Sequence, residues 1–107
     1  MNVSLLHVRV LAVFLREDQP QYALGLVGPA CVRMGTIYAL LHQLEEAGWL
    51  SSIREDDTVR RSRPPRREYA LTDAGRAGSL SLLRELRTLL LFLPADPAGA
   101  SSDPVLS

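Results

Sequence analysis

Met34 to Leu50 reads MGTIYALLHQLEEAGWL, and the fold turns on this stretch. Ile37, Leu40, Leu41, Leu44 and Ala47 recur at three- and four-residue steps, the period of one helix face. Thr36, Ala39, His42, Gln43 and Glu46 fall on the other side. Gly48 follows the last periodic residue, where a left-handed stop is cheapest for glycine. Trp49 and Leu50 then run into SSIRE, a different pattern. The reading is a short amphipathic helix that buries one face, presents the other, and turns into a strand. Taken alone, it also describes an ordinary surface helix of a small helical domain.

Upstream, Val3 to Arg16 is strongly apolar, with Val3, Leu6, Val10, Val13 and Phe14 on one helix stripe. The Val8 and Val10 alternation also suits a strand, but the length favours a helix. Pro20 ends it, because proline restricts its predecessor and cannot donate to a continuing helix. Gln21 to Val27 reads as a short second helix carrying Tyr22, Leu24 and Leu26. Gly28-Pro29 should break it, and Ala30 to Arg33 should turn into the central helix. Two short helices joined by a tight turn, the second exposed, make a helix-turn-helix pattern.

Downstream, Leu50 to Arg54 and Arg66 to Leu71 are strand candidates, with Tyr69 and Leu71 on one face and Glu68 and Ala70 on the other. The connection Glu55 to Pro65 is too long for a tight hairpin and ends in Pro64-Pro65, which hold it extended. It reads as a wing beside the exposed helix, the arrangement a DNA reader needs. The formal net charge is zero, yet all twelve basic residues are arginine, and five of them crowd into Thr58 to Arg67 without an acid. Such a run repels itself and is best tolerated beside a polyanion; the alternative is a solvated charged loop.

Thr72 is a good N-cap, and Asp73 suits the positive end of a helix dipole. This helix should run to about Leu93, where Pro94 ends it. Leu82, Leu83, Leu86, Leu89, Leu90 and Leu93 make a broad apolar face, and Leu91 and Phe92 carry apolar surface round to the opposite side. A second copy of the chain is the simplest cover; packing within the same domain is the alternative. The expected organisation is a winged helix-turn-helix over 1–71, a dimerisation helix over 72–93 and a disordered tail over 94–107. The fold class is mainly α with a small two-stranded β-wing.

At 107 residues the chain is one domain. Cys31 is its only cysteine, so no intramolecular disulfide or cysteine-rich metal cluster forms. His7 and His42 have no Cys or carboxylate at ligand spacing, and no metal or cofactor is expected. The N-terminal apolar run lacks a basic leader and a cleavage site, and it is too short and polar to span a bilayer. A soluble cytoplasmic protein without a membrane role is the expectation. No catalytic triad, paired carboxylates or phosphate-cradling glycine loop is present, so an enzyme is not expected.

Gly35-Thr36-Ile37-Tyr38, Leu40-Leu41, Leu44-Glu45 and Ala47-Gly48-Trp49-Leu50 together resemble the PadR-like transcriptional regulators. Arg66-Arg67-Glu68-Tyr69-Ala70-Leu71-Thr72-Asp73-Ala74-Gly75-Arg76 is similar to that family's basic wing, aromatic strand and Leu-Thr-x-x-Gly helix start. The resemblance covers about residues 5 to 93. It implies a winged helix with a C-terminal dimerisation helix, a repressor bound to a roughly palindromic operator in double-stranded DNA, and often release by a small-molecule effector. The single short C-terminal helix looks like the smaller subfamily, whose drug-responsive members hold ligand at the dimer centre. The departures are Met34 in place of a small polar residue, His42 and Gln43 in place of a basic pair, Ser62 in place of the wing glycine, and Pro20-Gln21-Tyr22 in place of His-Gly-Tyr. They bear on operator sequence and binding strength.

On this reading Thr36, Tyr38, His42 and Gln43 lie on or beside the groove-facing side of the central helix. Thr36 and Gln43 are the candidates for base edges, Gln43 through a bidentate contact with adenine. Tyr38 matches the family's tyrosine, and its hydroxyl either meets a phosphate or packs against the first helix. Arg33 precedes the helix, within reach of a phosphate at its N-terminus. Arg60, Arg61, Arg63, Arg66 and Arg67 would grip the backbone or enter the minor groove. Trp49 reads as core at the base of the wing. Zero net charge and the His42-Gln43 pair keep a second reading open, a winged helix that dimerises and binds another protein with its wing free.

Overall fold

The computed structural model describes residues 1–55 and 66–94. The wing arginines Arg60, Arg61 and Arg63, and the tail from residue 95 onward, lie outside the described residues. Helix α1 spans Leu5–Glu17, strand β1 Gln21–Tyr22, helix α2 Ala23–Ala30, helix α3 Met34–Glu46, strand β2 Leu50–Arg54, strand β3 Arg67–Leu71 and helix α4 Asp73–Phe92. Among the described residues no single helix is long and apolar enough to cross a membrane.

Helix α1 begins two residues later than its apolar stripe suggests, because Ser4 caps it. The Ser4 hydroxyl accepts from the His7 backbone N–H at 3.5 Å, and the His7 ring reaches back to the Ser4 N–H at 3.0 Å. This is a capping box with histidine in the place usually held by Glu or Gln. Val10, Leu11, Val13 and Phe14 of α1 meet Leu26 of α2, Ile37, Leu40, Leu41 and Leu44 of α3, and Leu50 and Tyr69 of the sheet in one buried core. The periodic face of α3 is therefore its core face, and Gly48 takes the left-handed conformation after it, with φ of 81°.

Two local expectations fail around α2. Gln21 and Tyr22 are not helical; they form a strand on β3, pairing Gln21 with Tyr69 and Tyr22 with Glu68. The sheet therefore has three antiparallel strands in the order β1-β3-β2, one more than the two-stranded wing expected. Two residues have no readable period, and only the neighbouring strand recruits them. Nor does Gly28-Pro29 break α2, since Pro29 lies inside it. Part of the restriction on a residue before proline comes from its Cβ, which Gly28 lacks, and Pro29 sits in the last turn.

Helix α2 stops instead at Cys31, in the left-handed region at φ 55°, with its N–H donating to the Gly28 carbonyl at 3.1 Å. The Arg9 guanidinium donates to the Cys31 carbonyl at 3.2 Å. A side chain with a Cβ is disfavoured at this backbone position. Cys31→Gly is therefore expected to stabilise the fold by about 0.5–1 kcal/mol, while Cys31→Ala leaves it unchanged. Urea unfolding of the two variants measures the difference, and a destabilised Cys31→Gly would contradict the left-handed stop.

At the far end, Thr72 joins sheet to helix. Its N–H donates to the Trp49 carbonyl at 3.0 Å, its hydroxyl donates to the Gly48 carbonyl at 2.6 Å, and the same oxygen accepts from the Gly75 N–H at 2.9 Å. Gly75 and Gly78 lie against Trp49, and Arg76 pairs with Asp18 at 2.6 Å, tying the start of α4 to the end of α1. Leu82 packs on the core, but from Leu89 onward α4 is exposed.

Candidate nucleic-acid interface

Helix α3 is organised by its buried face, so its outer ridge follows by geometry. Gly35, Tyr38, Ala39, His42 and Glu46 are exposed along it, at three- and four-residue steps. Thr36 is only half-buried on a flank, and Arg33 stands exposed as the N-cap residue, with no side-chain capping bond of its own. The Thr36 and Ile37 N–H groups donate to the Arg33 carbonyl, at 2.9 and 3.1 Å. Against the expectation that His42 has no carboxylate at ligand spacing, its Nε2 lies 3.4 Å from Glu46 Oε2 one helical turn on, both on the exposed ridge; no third such side chain joins them among the described residues.

The β2–β3 hairpin brings its basic residues to one edge. Leu50 faces Leu71, Ser52 faces Tyr69, and Arg54 faces Arg67 directly across the ladder. Like charges directly opposite each other are destabilising, and Glu45, joined to Arg67 through Ser52, offsets part of that cost. Beyond the pair, the Glu55 N–H donates to the Arg66 carbonyl at 2.7 Å and carries the hairpin one step further. Arg66 lays its guanidinium over the Tyr22 ring, 4.2 Å from the centroid, while its buried Nε has no hydrogen-bond partner among the described residues. Arg67 Nη1 donates to the Ser52 hydroxyl at 3.1 Å, which in turn donates to Glu45 of α3 at 2.6 Å. This relay fixes the base of the wing to the central helix.

Tyr22, Leu24, Tyr38, Arg66, Arg67 and Tyr69 line a cleft of about 340 Å³ between α2, α3 and the wing. Burial pushes the Tyr69 phenol above its ordinary pKa; Arg67 opposes the shift and Glu45 adds to it. Tyr38, more than half exposed, projects from α3 beside this basic wall. An exposed helix ridge flanked by guanidinium groups and a phenol suits a phosphate backbone with base edges next to it.

The residues expected at the interface thus separate. Tyr38, Arg66 and Arg67 converge on one cleft; Arg33 is exposed at the N-cap of α3 and His42 on its outer ridge, and Thr36 is set to the side. Gln43 departs most from expectation. Its side-chain carbonyl lies 2.6 Å from His7 Nε2, which ties the amide to α1 and leaves the oxygen's second lone pair and the NH₂ donors for a ligand. Arg54 belongs to the basic edge and was not among the candidates. Nothing in its local spacing marks it; only aligning Leu50 with Leu71 across the hairpin shows that it meets Arg67. Of the leucines assigned to the dimer, Leu82, Leu83 and Leu86 are half-buried by their own chain, whereas Leu89, Leu90 and Leu93 are exposed.

Comparison with known proteins agrees with this architecture. The model of the transcriptional regulator PadR-like family matches residues 11–79. No curated protein matches the chain. A PadR family transcription regulator from hypervirulent Clostridium difficile R20291 superposes with a TM-score of 0.71 at 16% identity, over 82% of this chain and 93% of that one. A padr family transcriptional regulator from Eggerthella lenta DSM 2243 gives 0.63 at 24% identity, over 79% and 80% of the two chains. Bordetella bronchiseptica BpsR, described for the regulation of its DNA binding by 6-hydroxynicotinic acid, gives 0.66 at 21% identity, over 90% and 70%. The PadR-like regulators are DNA-binding proteins without enzymatic activity. With the family model spanning the core helices, the sheet and the start of α4, and with the same fold in solved members, the chain belongs to the PadR-like family of transcriptional regulators.

Proposed function

We propose that the protein is a homodimeric repressor that binds a palindromic operator through α3 and the wing and is released by a small molecule. The observation that carries the DNA reading is the basic edge: Arg54 and Arg67 opposed in register, with Arg66 beside them, next to the exposed ridge of α3. A polyanion relieves that repulsion. The division of labour follows from chemistry. Arginines at the wing contribute affinity for any sequence, and the α3 ridge contributes discrimination.

The dimer reading is supported by the uncovered apolar end of α4. The effector reading places the ligand at the dimer centre, near Phe14 and the C-terminal helices. An opening of about 190 Å³ beside Phe14 is lined by Asp18, Gln19, Pro20, Leu71 and Arg76, among others. Ligand pockets usually hold roughly 300–1,000 Å³, so a second protomer would have to complete the wall.

A salt titration tests the DNA reading. Two wings neutralising about 4–8 phosphates give a slope of log K on log salt of roughly −4 to −7. Replacing Arg60, Arg61 and Arg63 together with alanine is expected to weaken operator and scrambled duplexes alike and to flatten the slope. If the wild type binds neither duplex at low salt, the protein-interaction reading replaces this one. If the triple variant loses operator binding alone, the wing reads sequence and the division of labour is wrong.

A further inference from the structure

We propose that Tyr22 of β1 is a positioning residue that holds Arg66 ready for a DNA phosphate. The inference rests on the DNA-binding reading above. Strand β1 is two residues long, and its register sets Tyr22 opposite Glu68 of β3. Residues two apart along a strand share a face, so Arg66 is the diagonal neighbour of Tyr22 on that face. The contact follows from the register. The guanidinium carbon of Arg66 lies 4.2 Å from the centroid of the Tyr22 ring. Both residues line the cleft they share with Tyr38 and Arg67.

Two observations give this ring a role beyond packing. Tyr22 occupies the N-cap position of α2, in extended backbone at φ −93° and ψ 151°, and makes no side-chain capping bond. A Ser, Thr, Asp or Asn there would accept from the first turn of the helix, and tyrosine forgoes that bond. The position gives up a cap and gains a platform for Arg66. The second observation is the kind of partner. Arg16 and Arg76 are held by carboxylates, and Arg67 reaches Glu45 through Ser52. Such partners cancel part of the charge that would attract a phosphate. An aromatic face attracts a guanidinium through its quadrupole and leaves the positive charge uncancelled. Glu68 shares the face, yet among the described residues no ion pair joins it to Arg66. The buried Nε of Arg66 has no hydrogen-bond partner among them either, so the ring is what holds that end of the side chain. A long side chain already held in one conformation loses less freedom when a phosphate arrives. Tyr22 thus raises affinity without touching DNA, and its hydroxyl is not required.

The test separates the stack from the binding. In the free protein, the ring current of Tyr22 should displace the Arg66 Nε–H resonance. Tyr22→Phe should keep that displacement and Tyr22→Leu should abolish it. A resonance at the same position in wild type and Tyr22→Leu overturns the proposal. In the second arm, a mixed-sequence DNA duplex is titrated at low salt. Tyr22→Leu should bind about tenfold more weakly than wild type, and Tyr22→Phe should match it. In an Arg66→Ala background, Tyr22→Leu should have no further effect, because the ring acts only through Arg66. A merely structural role would give additive losses, and additive losses overturn the proposal. So does a tenfold loss in Tyr22→Phe, which would put the hydroxyl itself on the DNA. If Tyr22→Leu does not fold, Tyr22→Ser, able to cap α2, takes its place in both arms. A wild type that binds the duplex no more tightly than Tyr22→Leu overturns this inference and leaves the DNA reading standing; a wild type that binds no duplex overturns both.

Discussion

Alanine at Gly75 is expected to destabilise the chain by about 3 kcal/mol, on the order of 10–20 °C in Tm, although glycine-to-alanine changes inside helices normally stabilise. A Cβ at Gly75 would lie 1.9 Å from the Trp49 carbonyl oxygen. That oxygen is backbone, and it already accepts the Thr72 N–H that joins sheet to helix. No rotamer change relieves the overlap, so the start of α4 must lift from the winged helix. At Gly78 the nearest atom is Cζ2 of the Trp49 ring at 2.5 Å, which can shift, so Gly78→Ala should cost less, about 1–2 kcal/mol. Gly25→Ala is the control. Gly25 is also helical, but a Cβ there meets nothing within 4 Å, and the variant should gain about 0.5–1 kcal/mol. Thermal unfolding of the three variants followed by circular dichroism checks the order. If Gly75→Ala melts with or above wild type, α4 does not seat on Trp49 in this way.

The second large effect concerns assembly. Leu90→Glu with Leu93→Glu is expected to convert the proposed dimer into a folded monomer at micromolar concentration. Exposure along α4 separates two stretches. Leu82 and Leu86 are half-buried against their own domain, whereas Leu90 is 66% exposed, Leu91 76%, Phe92 79% and Leu93 63%. A charge at Leu86 would damage the fold and the interface together, so the distal pair is the cleaner test. Burying two unpaired carboxylates in each subunit costs several kcal/mol, enough to weaken self-association by a hundredfold or more. Operator affinity should fall with it, because a monomer engages one half-site. Sedimentation velocity of both proteins decides. Wild type running as a monomer would remove the dimer, and an unchanged dimer in the double variant would move the interface away from the end of α4.

Much of the candidate site is visible in the order of residues, but not its composition. Tyr38, Arg66 and Arg67, which line one cleft, can be singled out because each occupies a position set by local periodicity: one on the outer ridge of a helix, two at the foot of a strand. Arg54 and the role of Gln43 escape the same reasoning. Arg54 matters because of strand register, a relation between two segments. Gln43 is altered by a histidine 36 residues away in sequence. Helix α2 departs from its local reading for a related reason: Gly28-Pro29 usually breaks a helix, yet here Pro29 lies in the last turn, where the missing Cβ of Gly28 eases the clash with the proline ring.

The sequence by itself determined the order of the four helices and the β2–β3 hairpin, the cap at Thr72 and the buried face of α3. Those depend on interactions within a few residues: the apolar period of α3, the Thr72 cap, the left-handed glycine at position 48. The tertiary structure alone decided which groups meet between elements. It set Arg54 against Arg67, drew Gln21 and Tyr22 into the sheet, pressed Gly75 onto the Trp49 carbonyl and turned Gln43 toward His7. The physical reason is one of range. Helix and strand propensities act along the chain and leave a repeating signature, whereas a contact between elements depends on ångström-scale packing of segments distant in sequence, and no period records it.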